Sequence, residues 1–386
     1  MQSAGTPETI SLCILGNSDV RLWGMSPATR IERAFSRAGI KNIIAESDLV
    51  KNTGPVVLVR ADAVLDEPLT GHLAACENLM ILGNGSENPV PVAAHVSAEK
   101  GCQAADAIKS EEKTALPGVK TQSPGDIDAN YWKALRKRET PYALVINDKN
   151  SSDVLWRIFM GTYKGATDFI TKHLWPRPAY HTTRLIAPIG ITPNMVTSLS
   201  AVMVVLAFFL FMQGNYGWGL AAAWMMTFLD TVDGKLARVT LTSSPWGNVF
   251  DHGIDLIHPP FWYWAWAAGL SVAGTNFTPD TIYWLLAVII GGYVLQRLIE
   301  GLAIMAFGIE IHIWRPVDTF FRQITARRNP NLAILTLSVI AGHPDYGLYA
   351  VAAWTALCLV LHSLQLVQAW QEKRKNGPLS SWLTKP

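Results

Sequence analysis

Charge is scarce in this chain. Of its 386 residues only 16% are Asp, Glu, Lys or Arg, against about 25% in an ordinary soluble protein. The formal net charge is +2, so there is no broad field of one sign and no nucleic-acid partner is expected. Cysteine is equally sparse. Cys13, Cys76, Cys102 and Cys358 are scattered, with no CxxC pair, which argues for free thiols and against a disulfide scaffold. The opening MQSAGTPETISLC lacks a basic region followed by an apolar core, so no secretory signal is expected. No internal repeat is visible, which disfavours a transporter assembled from inverted repeats.

What the chain has in quantity is apolar surface, at 49% hydrophobic residues, and it is unevenly placed. Residues 1–150 have soluble composition. Segments 10–16, 41–46, 55–60, 78–83 and 89–95 read as short buried strands. Pro27–Ala38 reads as an amphipathic helix with Ile31, Ala34 and Phe35 on one face. Strands alternating with helices predict an α/β, Rossmann-like sandwich with a largely parallel sheet. Residues 98–128 are polar and irregular, 129–139 read as a helix, and 142–146 as a last strand. Residues 152–173 carry Leu155, Ile158, Phe159, Tyr163, Phe169 and Ile170 at helical spacing. They predict either an amphipathic helix at the membrane surface or a linker helix packed on the soluble domain.

Six apolar segments follow, at about 193–213, 216–238, 247–271, 281–308, 330–343 and 346–370. Most reach the roughly 20 residues that a membrane-spanning helix needs; the fifth is short. Lys and Arg fall only in alternate joints: Arg177 and Arg184 before the first segment, Lys235 and Arg238 after the second, Arg315, Arg322, Arg327 and Arg328 after the fourth, Lys373, Arg374 and Lys375 after the sixth. That alternation predicts a multi-pass membrane protein with both termini and the N-terminal domain in the cytoplasm. The fold class is therefore an α-helical integral membrane domain of six transmembrane helices (186–372) behind a soluble α/β domain (1–150). A juxtamembrane linker (151–185) joins them, and a tail (373–386) ends the chain. Trp262, Tyr263, Trp264 and Trp266 read as packing and interface anchors.

Inside the most apolar stretch stand four acids. An Asp at membrane depth costs about 2.5–3.5 kcal/mol on insertion scales, so such residues are rarely there without a task. Asp230 and Asp233 are three apart and share a helix face. Gly247, Asp251 and Asp255 are spaced by four and form a stripe at the start of the next segment. Residues 239–246 are long enough to turn the chain back, so the two acidic faces can meet. Four carboxylates need counter-charge, and an oxygen-rich site suits Mg²⁺ or Mn²⁺, with two ions able to clamp a phosphate. The small residues Gly234, Ala237 and Gly247 serve either close approach of a nucleotide or tight helix packing. Farther on, Arg297 and Glu300 are three apart and can pair, and Gln296 lies beside them.

The pattern D-x2-D-G-x2-A-R-x8-G-x3-D-x3-D is complete here: Asp230, Asp233, Gly234, Ala237, Arg238, Gly247, Asp251, Asp255. It resembles the signature of the CDP-alcohol phosphotransferases (CDP-alcohol phosphatidyltransferases), over roughly residues 185–370. The resemblance implies attack of an alcohol on the β-phosphorus of a CDP-alcohol with release of CMP, in phospholipid synthesis. By position it makes Asp230, Asp233 and Asp251 metal ligands and Asp255 a ligand or the general base, and it lines the CDP site with Gly234, Ala237, Arg238 and Gly247. His252 either assists proton transfer or bonds a neighbour. Two cues for the substrates disagree. Ser243-Ser244-Pro245 and Asp251-His252-Gly253 are similar to the choline and ethanolamine branch, where the acceptor is a lipid hydroxyl. Arg327 and Arg328 are similar to basic residues that hold an acceptor phosphate in the inositol-phosphate branch. Many relatives look dimeric, so a homodimer is an open expectation.

The N-terminal domain loosely resembles a nucleotidyltransferase, with Asp62 near a metal ligand of that family. It lacks the Gly-rich nucleotide loop after the first strand, where this chain has Leu15-Gly16-Asn17-Ser18-Asp19-Val20-Arg21. A degenerate domain is expected. Two other functions stand beside the main one: a cation transporter using the acids as a permeation site, and an inactive membrane scaffold for the soluble domain.

Overall fold

The structure, a computed structural model, describes residues 9–84, 89–111, 116–127, 130–274 and 278–384. The chain divides into two compact units. One comprises 1–163 with 187–189 and 238–241; the other comprises 164–186, 190–237 and 242–386.

The first unit contains, in order, β1 (Ser11–Leu15), α1 (Pro27–Arg37), β2 (Asn42–Ile44), β3 (Val56–Arg60), β4 (Ala63–Leu65), α2 (Glu67–Ala75), β5 (Leu79–Leu82) and β6 (Pro91–Val96). Then come α3 (Gly101–Lys109), β7 (Lys120–Gln122), β8 (Tyr131–Trp132), β9 (Lys137–Arg138), β10 (Ala143–Val145) and α4 (Ser151–Gly161). Six strands form one sheet in the order β2-β1-β3-β6-β5-β7. Its strands β1, β3, β5 and β6 are apolar on both faces because both are covered. Leu12, Val57, Val59 and Ile81 join Ile31 and Phe35 of α1 and Leu69 and Leu73 of α2 in one core. Their alternates Cys13, Leu58 and Met80 join Ala104 and Ile108 of α3 in another.

Several sequence expectations need correction. The six-stranded sheet is largely parallel, as expected, but one of its strands, β6, runs antiparallel to both β3 and β5. The link from Leu82 to Pro91 is too short for the crossover of about a dozen residues that parallel pairing requires. β2 is an edge strand, exposed rather than buried. The stretch 98–128 holds α3, whose buried face is mostly alanine and so gave little hydrophobic signal. Residues 130–139 are not a helix (residue 129 lies outside the described residues): β8 and β9 pair antiparallel around a turn closed by Arg136 at φ 50°. β10 pairs with β4 in a separate two-stranded sheet. The helix predicted over 152–173 stops at α4, where the Thr162 hydroxyl donates to Phe159 O at 2.6 Å and competes with the next backbone bond. Asp62, the residue placed near a nucleotidyltransferase metal site, is gripped by Arg60 through two hydrogen bonds of 2.9 and 2.8 Å.

The second unit is helical. A π turn at Ile170–Leu174 leads to α5 (Pro176–Ile186), α6 (Pro193–Met212), α7 (Tyr216–Val239, its last two residues in the first unit), α8 (Pro245–Val272) and α9 (Pro279–Phe307). After these come α10 (Pro316–Phe321), α11 (Arg328–Ile340) and α12 (Pro344–Asn376). Proline at the first positions of α6, α8, α9, α10 and α12 suits a site whose N–H would have no helical partner. The core gathers Phe211, Tyr216, Trp262, Tyr263 and Trp266 with Leu348 and Val351. Trp262 Nε1 donates to Val204 O and Trp266 Nε1 to Pro344 O, each at 3.0 Å, so these rings lock helices together, whereas Trp264 is exposed. Gly269 is obligatory, since a Cβ there would lie 1.9 Å from Phe211 O.

Three helices among the described residues, α6, α9 and α12, are long and apolar enough to cross a membrane. α7 and α8 have the length, at 24 and 28 residues, but carry the acids. α11 has 13 residues, about 20 Å at 1.5 Å per residue, short of the ~30 Å hydrocarbon core.

Candidate active site

The acids come from two helices whose local sequences aim them. Asp230 and Asp233 lie near the end of α7. Ser244 caps α8, its hydroxyl accepting from Gly247 N at 3.0 Å, with Pro245 following. The Ser-Ser-Pro run is thus a helix start signal. Gly247 permits a close approach: a Cβ would stand 2.9 Å from Asn194 Oδ1 at the head of α6. In this helix pair, then, Gly247 serves packing.

Carboxylate oxygens of Asp230, Asp233 and Asp251 lie within 4.8 Å of one another. Asp233 is buried at 3% exposure. Its Oδ2 accepts from Thr197 Oγ1 of α6 at 2.5 Å, and its Oδ1 is buried with no partner. Asp255, the fourth acid, stands outside that trio and is held by Arg328, the first residue of α11. Arg328 Nη1 donates to Asp255 Oδ1, and Nη2 to Asp230 Oδ2 at 2.6 Å. One guanidinium therefore ties α7, α8 and α11 together. His252 is largely exposed, its Nδ1 3.0 Å from Asn248 O of its own helix and 3.7 Å from Asp251 Oδ2. Gly234 and Ala237 are partly buried on α7, and Arg238 lies in the first unit, with Nη1 3.5 Å from Thr162 O.

Arg327 turns elsewhere. Its Nη2 donates to Glu300 Oε1 and lies 3.1 Å from His312 Nε2. Arg297 donates to the same Glu300 oxygen at 2.9 Å, the pairing expected from their spacing, and His312 Nε2 is 3.0 Å from it. His362 of α12 brings a ring nitrogen within 4.8 Å of Glu300 and His312 ligand atoms. Buried atoms without a partner collect here: Arg297 Nε, His312 Nδ1, Arg322 Nη1, Arg327 Nε and both ring nitrogens of His362. Gln296, close by in sequence, is fully buried with its amide unpaired. Sequence reasoning missed His312 and His362, which lie 12 and 62 positions beyond Glu300 on separate elements with no spacing rule to link them.

The sequence profile of the CDP-alcohol phosphatidyltransferase family matches residues 190–326. The chain is 30% identical over 168 residues to the bifunctional IPC transferase and DIPP synthase of Rubrobacter xylanophilus, covering 42% of this chain and 34% of that protein. It is 32% identical over 95 residues to the phosphatidylinositol phosphate synthase of Streptomyces avermitilis, covering 24% and 37%. It is 26% identical over 154 residues to human ethanolaminephosphotransferase 1, covering 35% and 39%. The chain thus spans little more than a third of the length of these curated relatives. All eight signature positions fall inside the matched segment, five on α7 and three on α8. Residues 190–326 of this chain form a CDP-alcohol phosphatidyltransferase domain.

Proposed function

We propose that the protein is an integral-membrane CDP-alcohol phosphotransferase of phospholipid synthesis. An acceptor hydroxyl attacks the β-phosphorus of a CDP-alcohol, the new phosphodiester forms, and CMP leaves. The observation that carries this reading is the convergence of Asp230, Asp233 and Asp251 oxygens from two helices within 4.8 Å. The donor set fits a divalent cation: it is all carboxylate oxygen, Asp233 offers a buried oxygen with no partner, and Arg328 pairs with Asp230 and Asp255 of the four acids. Mg²⁺ or Mn²⁺, as two ions, would be held by Asp230, Asp233 and Asp251 with Asp255 beside them, and would supply Lewis-acid stabilisation of phosphoryl charge. Asp255 is the base for the acceptor proton, and exposed His252 assists its passage to solvent. Gly234, Ala237, Arg238 and Gly247 line the donor's cytidine diphosphate, where Arg238 offsets charge gathering on CMP. α6–α9, α11 and α12 form the six-helix membrane domain, with the acids near the cytoplasmic face.

The arginine cluster favours an anionic acceptor. Arg297 and Arg327 both bond Glu300, Arg322 lies within electrostatic reach of Glu300 and Asp168, and the three leave buried donors unspent. A phosphate-bearing alcohol satisfies both the charge and the donors. On this reading Arg327 binds the acceptor, and Arg328, also an acceptor-phosphate candidate by sequence, sets the balance among the acids. The Rubrobacter and Streptomyces relatives agree with this choice better than the human one.

The test supplies purified protein in nanodiscs with CDP-diacylglycerol or soluble CDP-alcohols, each with phosphorylated or neutral acceptors, and follows CMP and the lipid product by mass spectrometry. Metal-dependent CMP release is expected. Cation flux in liposomes without CMP from any pair defeats the proposal in favour of a transporter. Metal and nucleotide binding with no turnover would leave a scaffold.

A further inference from the structure

The first unit contains the last two residues of the motif helix, Arg238 and Val239, and the turn after it to Leu241. A helix end leaves four carbonyls without helical partners and carries the negative pole of the helix dipole. Here each of the last carbonyls is accounted for. Thr242 N donates to Ala237 O at 2.9 Å and Leu241 N to Arg238 O at 3.3 Å, the paired bonds of a Schellman turn. The residue that turn places in the left-handed region is Leu241, at φ 54°, where glycine is usual and an L side chain costs about 1–2 kcal/mol. The next two carbonyls are taken by arginines of α1. Arg30 Nη1 donates to Val239 O at 2.5 Å and Arg33 Nη1 to Thr240 O at 2.8 Å. Three residues apart, Arg30 and Arg33 share the face of α1 away from Ile31 and Phe35, which enter the sheet core. Met25 Sδ, 3.1 Å from Arg33 Nη1, steadies the second of them.

We infer that Arg30 and Arg33 are positioning residues for the phosphotransferase: they clamp the strained end of α7 and so fix Arg238 on the donor. Within the first unit, α1 then serves the reaction as a holder of residues 238–241, consistent with an Asp62 already neutralised by Arg60. A turn that glycine would close unaided is kept in one conformation by two charged hydrogen bonds to backbone oxygen, and strain of this kind persists only where the surroundings over-determine it. The inference rests on the reading of Arg238 as a donor contact.

The test uses full-length protein in nanodiscs and the variants Arg30→Ala, Arg33→Ala, their double variant, Arg30→Lys with Arg33→Lys, and Lys41→Ala as a control on the exposed surface. Two readouts are taken. Hydrogen exchange of the peptide spanning 236–242 needs no activity: the double Ala variant should lose protection there while β1, β3 and β6 keep theirs. Kinetics should show the donor KM raised about tenfold, the scale of one charged hydrogen bond, with kcat and the acceptor KM within about twofold. The Lys pair should recover part of both. Unchanged exchange at 236–242 in the double Ala variant overturns the inference, as does an equal fall in kcat with every donor and acceptor. If wild-type protein releases no CMP from any donor, the proposed function fails instead. In that case exchange still decides whether the arginines clamp the turn.

Discussion

Two polar clusters in the helical unit are near-opposites in charge. In one, four carboxylates gather, two of which, Asp230 and Asp255, pair with the guanidinium of Arg328. In the other, Arg297 and Arg327 bond one carboxylate, Glu300, and Arg322 lies within electrostatic reach of Glu300 and Asp168. Consecutive residues, Arg327 and Arg328, serve one cluster each. Buried charge of one sign in excess is costly unless something of the other sign joins it. The contrast is one of charge: the acidic cluster is suited to cations and the basic one to an anion. The orphan atoms agree, being a carboxylate oxygen of Asp233 in the first and mostly nitrogens in the second.

The hardest way to break the contrast is to remove an acid. Asp251→Asn and Asp233→Asn should lower CMP release by more than about a hundredfold while leaving circular dichroism unchanged. Full turnover by both variants would end the enzymatic reading. Next comes the shared counter-ion. Arg328→Ala leaves buried acids uncompensated and should destabilise the helical unit by about 3 kcal/mol. Added Mg²⁺ or Mn²⁺ should then raise the melting temperature of the variant more than that of the wild type, because ligand bound to the folded state stabilises it. Equal metal shifts would mean that Arg328 and the cation do not share the acids. On the basic side, Arg327→Ala should raise the KM for a phosphorylated acceptor about tenfold, one charge-assisted contact, with the donor KM unchanged. An effect on donor instead would exchange the roles of the clusters. His252→Ala should cost less than about tenfold in kcat, below the 10²–10⁴ of a true general base, since its ring is exposed and turned to its own helix.

The smallest effect concerns a buried acid in the α/β unit that has backbone rather than ionic support. Asp66 accepts from Leu69 N and Tyr142 N, yet burial raises its pKa to about 6. The folded state then holds a proton that the unfolded chain has already lost at about pH 4, so stability falls as pH rises from about 4 to about 6 and levels off above. Asp66→Asn should flatten that slope in chemical denaturation followed at several pH values; an unchanged slope would remove Asp66 as its source.

The acids were legible because spacings of three and four are helix geometry, and α7 and α8 realise them. The same logic found Arg297 with Glu300. Arg328 against Asp255 was not legible: the two lie far apart in sequence, and only the packing of α11 on α8 joins them. Asp255 reads by resemblance as a ligand or the general base; in the structure it stands outside the trio of Asp230, Asp233 and Asp251 and shares Arg328 with Asp230. In the α/β unit, hydrophobic strands such as β1 and β3 were found directly. Elements whose formation depends on tertiary pairing were not. Residues 131–138 are made of good helix formers, but propensity is a weak prior, and strand pairing decides there.

Because Arg327 and Arg328 are adjacent on one backbone, the start of α11 behaves as a yoke. Any tilt or sliding of its first turn shifts both guanidiniums together, so on the proposed function neither the metal end nor the acceptor end could be retuned by moving α11 without disturbing the other. On that proposal, a changed acceptor preference would come through side-chain exchange on α9 and α12 rather than through repacking this helix.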